Sequence, residues 1–205
     1  MKMKRKNMIL LLAAVAALGT SALSVGAQEP ARWRVWLEAK FMRAAVTQPI
    51  PGAERTVLAA GYADGEEPLY LLPEQFNSLK VPWAGFMAAA RANADAELAS
   101  LKPEYIRDRK AVIEYAVLRS EQPIVARAIL SPALLAMFKD TLGEKLLVAV
   151  PSRYAAFVFP RLASSYQQYT PMMIEAYRAT AFPVSLEVFE VSSEGWKAVG
   201  VYEEP

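Results

Sequence analysis

One stretch constrains this chain most: residues 145–160, KLLVAVPSRYAAFVFP. Two apolar runs, 146–150 and 154–159, flank Pro151-Ser152-Arg153. Each run has strand length, is rich in Val and Phe, and is too short for a buried helix. Proline fixes φ and cannot donate to a ladder, so a three-residue break that contains it suits a hairpin turn. The stretch therefore reads as the central hairpin of an antiparallel sheet. Helices before and after it are expected to pack on one face.

The flanking sequence supplies those helices. Ser131-Pro132 places a capping hydroxyl before a proline at the first helical position. Leu134, Leu135, Phe138 and Leu142 form an apolar stripe, and Gly143 suits a C-terminal cap. Thr170-Pro171 opens a second helix over 171–180, with Met173, Ile174 and Tyr177 on one side. A core role is the plain reading of that Met and Tyr stripe. Residues 184–191 alternate as a half-buried strand, 192–195 turn, and 196–202 close the sheet.

Upstream, Trp33, Trp36-Leu37, Phe41 and Ala44-Ala45 fall near one face of an expected helix over 32–46, with Arg34, Glu38 and Arg43 elsewhere. Residues 56–63 and 68–72 read as strands joined at Asp64-Gly65. Residues 73–80 suit a helical turn. Residues 82–101 form an alanine-rich helix that Lys102-Pro103 ends. The charged run 107–110 reads as a solvated loop rather than an anion site. Residues 111–118 and 124–130 are β-branched enough to be paired strands about Gln122-Pro123. The fold class is thus α+β, with an antiparallel sheet of hairpins. The order of elements suggests two αββαββ halves, 31–130 and 131–205.

Over residues 130–200 the chain resembles the YtpQ-like group of uncharacterised bacterial proteins. The resemblance rests on a helix ending at Gly143, the run Leu147-Val148-Ala149-Val150-Pro151, a following strand and helix, and Pro183-Val184 opening the last hairpin. It implies an α+β fold and no particular chemistry. It does not extend to the N-terminal half, and members of that group lack the leader described next.

Lys2, Lys4, Arg5 and Lys6 precede an uncharged run over 7–27 that ends Val25-Gly26-Ala27. A charged region, an apolar region and a small-residue site make a secretory signal peptide, with cleavage expected after Ala27. An uncleaved anchor is the alternative. Removing the first 27 of 205 residues leaves 178 and takes the net charge from +2 to −2. That length suits a single domain, 28–205, burying about 70% of its unfolded surface. The balance gives no reason to expect nucleic acid. No later apolar run is long enough to span a bilayer, so an exported product, periplasmic or extracellular, is expected.

The chain has no Cys and no His. Disulfides, thiolate nucleophiles, His- or Cys-ligated zinc and a His-based serine triad are therefore excluded. Carboxylate pairs and Ser-Lys chemistry remain open. There is no G-x-S-x-G, Walker-type or dinucleotide fingerprint. No catalytic residue, metal site or cofactor is assigned. Glu187 and Glu190 lie on opposite strand faces, while Glu114 and Glu187 are candidates to meet across a sheet. Ser152 and Arg153 are the candidate binding residues, because loops on rigid strands carry function and an arginine clamps carboxylate or phosphate. The plainer reading of that pair is a solvated turn, and it is the one adopted. Two functional classes follow. One is a non-enzymatic exported module that binds an envelope protein or peptide. The other is an envelope hydrolase or lyase using carboxylates, a Lys or Arg153.

Overall fold

The computed structural model describes residues 29–63, 68–162 and 166–203. The leader with its cleavage site and the Asp64-Gly65 turn lie outside the described residues. The strands are β1 (Trp33–Ala39), β2 (Thr47–Pro49), β3 (Thr56–Ala63), β4 (Pro68–Tyr70), β5 (Glu104–Arg107), β6 (Ile113–Arg119), β7 (Leu146–Ser152), β8 (Ala155–Pro160), β9 (Glu187–Ser192) and β10 (Gly195–Val201). The helices are α1 (Pro73–Ser78), α2 (Trp83–Ser100), α3 (Val125–Ala128), α4 (Leu134–Leu142) and α5 (Thr170–Arg178).

The fold is α+β, but it has two antiparallel sheets rather than one. In the first, β3 pairs with β1 on one side and with β2 and β4 on the other. The second runs β10-β9-β7-β8-β6-β5. Its hairpins β5–β6, β7–β8 and β9–β10 join consecutive strands, as short connections require. The β7–β8 hairpin sits at the centre as expected. Strand β7 runs on through Pro151 to Ser152, however, and the register shifts between Ala149 and Ser152. The proline has no N–H for the ladder, and a bulge is where a strand tolerates it. The turn itself is Arg153-Tyr154, closed by Ser152 opposite Ala155.

Alternation sorts the hairpin onto two cores. Leu147, Ala149, Phe157 and Phe159 face α5 through Met173, with Tyr115 beside them. Val148, Val150, Ala156 and Val158 face the other way, onto Leu134 and Phe138 of α4, onto α3, and onto Leu37 of β1. Helices thus cover both faces of this sheet, which corrects the one-face expectation. Unbroken apolar runs such as these are what strands buried on both sides require. Ser131 Oγ accepts the Ala133 N–H at 2.9 Å at the start of α4, and Gly143, at φ 97°, ends it.

Three further expectations are corrected. Residues 32–46 are not a helix: they form β1, then a 3-10 turn (Lys40–Met42) that stops at Arg43 in the left-handed region, φ 54°. Strand β1 is buried between α2 and the second sheet, so no polar face marks its alternation. Residues 124–130 are not the partner of β6. They contain the buried helix α3, and β6 pairs with β8 and with β5, a strand hidden inside a charged segment. Within residues 31–130 the αββαββ order is therefore lost, since four strands open the chain where a helix was expected. The run 107–110 does form an exposed turn, in which Asp108 Oδ1 accepts the N–H groups of Lys110 and Val112 at 2.8 Å each.

Glycine is required at one strand position. A Cβ at Gly61 in β3 would stand 2.5 Å from the Leu69 carbonyl oxygen and 2.7 Å from the Trp36 ring. Its absence lets β4 and the buried indole close on β3 together.

Candidate binding site at the β7–β8 turn

Ser152 and Arg153 take opposite directions from the turn. Arg153 goes inward and is 3% exposed. Its Nη2 and Nε donate to Glu38 Oε2 at 2.6 and 3.2 Å, and Nη2 also donates to the Tyr70 hydroxyl at 2.9 Å. The Tyr70 hydroxyl in turn donates to Glu38 Oε2. The other carboxylate oxygen accepts the Ala39 N–H at 3.1 Å. Glu38 is 1% exposed. The guanidinium lies 5.0 Å from the centre of the Phe182 ring. The backbone is held as well: Arg153 N–H donates to the Phe182 carbonyl, and its own carbonyl accepts the Val125 N–H.

Glu38 belongs to β1 and Tyr70 to β4, so Arg153 ties the first sheet to the second. Burial, and then the Glu38 charge, push the Tyr70 phenol well above its ordinary value, keeping it a neutral donor. The solvated-turn reading of Arg153 is therefore wrong. Its partners stand 115 and 83 residues away in the chain, where local pattern carries no information about them. Glu114 and Glu187 do not meet either, because β7 and β8 separate their strands.

Ser152 goes the other way. It is 5% exposed and borders a cleft of about 450 Å³. Three elements end near here, with a hydroxyl residue at or just past each end: Ser120 directly after β6, Ser152 at the end of β7, and Thr180 two residues after α5. Each hydroxyl accepts the backbone N–H two residues on. Ser120 takes Gln122 at 3.0 Å, Ser152 takes Tyr154 at 3.2 Å, and Thr180 takes Phe182 at 3.1 Å. A hydroxyl has one hydrogen to give, and none of these three gives it to another described residue.

Arg119, at the end of β6, stands over the cleft with 58% of its side chain exposed. Its Nε lies 3.7 Å from Glu104 Oε2, and its guanidinium 5.8 Å from the centre of the Phe157 ring. Half-buried Tyr154 forms part of the wall, and Ala155, Ala176, Ala179 and Ala181 leave the space open. The arrangement supplies hydrogen-bond donors and one positive charge. Among the described residues, the Ser152 hydroxyl has a backbone amide rather than a base as its partner, so it is not set up as a nucleophile.

The sequence reading missed Glu38, Tyr70, Arg119, Ser120 and Thr180. The only signal for the hydroxyls was a Ser or Thr placed just where an element stops. Among the described residues, no group of three or more Asp and Glu could hold a metal ion, and no helix is long and apolar enough to cross a membrane. Comparison with family models, curated proteins and solved structures finds no significant match.

Proposed function

We propose that this chain is an exported, non-enzymatic binding module that seats an envelope protein or peptide in the cleft beside the β7–β8 turn. The observation that carries the reading is the set of three hydroxyl donors that border one cleft where three elements end. Hydroxyls tied to backbone N–H groups are held in place before a ligand arrives, which lowers the ordering cost of binding. The leader over residues 1–27 supports the location.

The test is site-specific cross-linking in the native envelope. A benzophenone side chain at the exposed cleft residue Ala181 is expected to give a discrete adduct. The same group at exposed Val112, about 20 Å away at the far end of β6, is expected to give none. Equal adducts at both positions, or none at Ala181, would sink the proposal. N-terminal sequencing of the exported product is expected to begin at Gln28.

A further inference from the structure

We propose that the group this cleft takes is a peptide carboxylate, held between Arg119 and the hydroxyls of Ser120, Ser152 and Thr180. The inference rests on the binding-module reading and adds the chemistry of the ligand. Each of the three hydroxyls has given a lone pair to a backbone N–H and keeps its hydrogen. Each keeps its hydrogen and a second lone pair, so all three can donate to an incoming acceptor. Among the described residues, no acidic side chain borders the cleft to fill that role from within.

Arg119 sets the charge. Among the described residues it is the only charged side chain bordering the cleft, and a planar guanidinium matches a carboxylate in two parallel hydrogen bonds. One positive charge balances one negative charge. A phosphate monoester would bring nearly two, and the second would stand uncompensated in a site whose remaining donors are neutral. The Glu104 carboxylate 3.7 Å from Arg119 is exposed, so a ligand carboxylate displaces a weak partner there. Arg153 offers no substitute, since its charge is matched by buried Glu38. Beside these donors lie four alanine methyl groups, a surface suited to the backbone and small apolar side chains of a peptide. The volume of about 450 Å³ lies in the range of sites for small ligands.

The chain from Gln28 onward would be titrated with four probes while its backbone amide resonances are followed. N-acetyl-trialanine offers a terminal carboxylate. Its C-terminal amide offers none. N-acetyl-Ala-Glu-Ala amide offers a side-chain carboxylate, and inorganic phosphate is the competing anion. Both carboxylate peptides are expected to shift the amides of Ser120, Ser152, Tyr154 and Thr180, and the neutral amide to bind at least about tenfold more weakly. If only one carboxylate peptide binds, it identifies the source as chain end or side chain and supports the proposal.

Arg119→Gln is expected to weaken binding of the carboxylate peptide about tenfold or more while leaving the rest of the spectrum unchanged. Ala179→Leu, which fills the cleft without touching a donor, is expected to abolish binding. Equal shifts from the neutral amide, stronger shifts from phosphate, unchanged binding by Arg119→Gln, or no shift with any probe would overturn the carboxylate assignment. The Ala181 adduct is scored separately. An adduct that persists when these probes fail keeps the module and discards its ligand class; loss of both discards the whole reading.

Discussion

At the scale of single residues, the β7–β8 turn separates two jobs between neighbours. Arg153 spends its charge inside the protein on Glu38, and Ser152 keeps its hydrogen for the cleft. The sequence singled out both residues and misjudged Arg153. Turn arginines are usually wet, and nothing local announces a buried carboxylate 115 positions earlier. Glu38 was misplaced for a related reason: a helical reading set it apart from the apolar face, and the strand buries it. Glu187 shows the same economy. It is 5% exposed, and its Oε1 accepts the N–H groups of Glu54 and Arg55 at 2.6 and 3.1 Å. Glu187→Ala strips the acceptor from two backbone donors and is expected to cost about 1–3 kcal/mol. Glu187→Gln keeps a side-chain oxygen and is expected to cost clearly less. Urea midpoints measure both, and an alanine variant with the parental midpoint would show that water serves those amides as well.

At the scale of elements, legibility tracked how far the local signals of a segment agree. Strands β3, β9 and β10, helix α2 and the β7–β8 hairpin all lie close to where pattern placed them. Their lengths, bounding prolines and side-chain types agree with one another, and such agreement across levels is what makes a segment readable. Strand β1 and helix α3 failed because the local pattern of each points to the wrong kind of element. In 33–39 the close spacing of Trp33, Trp36 and Leu37 imitates a helical stripe. In 124–130 β-branched residues imitate a strand, while the four residues of α3 are all buried. Phe157 is the sharper element-scale test. Alternation along β8 sets it on the face of Ala155 and Phe159, against Tyr115 and the Met173 side of α5. Phe157→Ala is expected to cost about 3–5 kcal/mol, the range for a core aromatic. A variant that unfolds at the parental urea concentration would remove the hairpin from the core.

At the scale of the whole molecule, the sequence showed paired strands but not that they divide into two sheets. That division depends on long-range contacts. The Thr56 and Ser185 hydroxyls meet at 2.7 Å, the Ala198 N–H reaches the Pro51 carbonyl at 2.8 Å, and Arg153 reaches Glu38 and Tyr70. The last tie makes the protein sensitive to base. The folded state holds the Tyr70 proton above its ordinary value near 10, while the unfolded chain releases it there. This contribution to stability is complete below about pH 10 and is lost as pH rises further. Tyr70→Phe is therefore expected to flatten the fall in stability between about pH 10 and 11.5, read from urea midpoints at each pH. Parallel curves for parent and variant would place the alkaline sensitivity elsewhere.

The central claim is that Arg153 is the buried tie between the sheets, leaving Ser152 and Arg119 to the ligand. Urea unfolding of Arg153→Met, Glu38→Leu and the double variant tests it most directly. Each single change strands a buried charge and is expected to cost about 3–5 kcal/mol, whereas the double change removes both charges together. The double variant should therefore be more stable than the summed single costs allow, by about 2–3 kcal/mol of coupling. Costs that add to within about 0.5 kcal/mol would mean that the two side chains do not depend on each other, and would contradict the account.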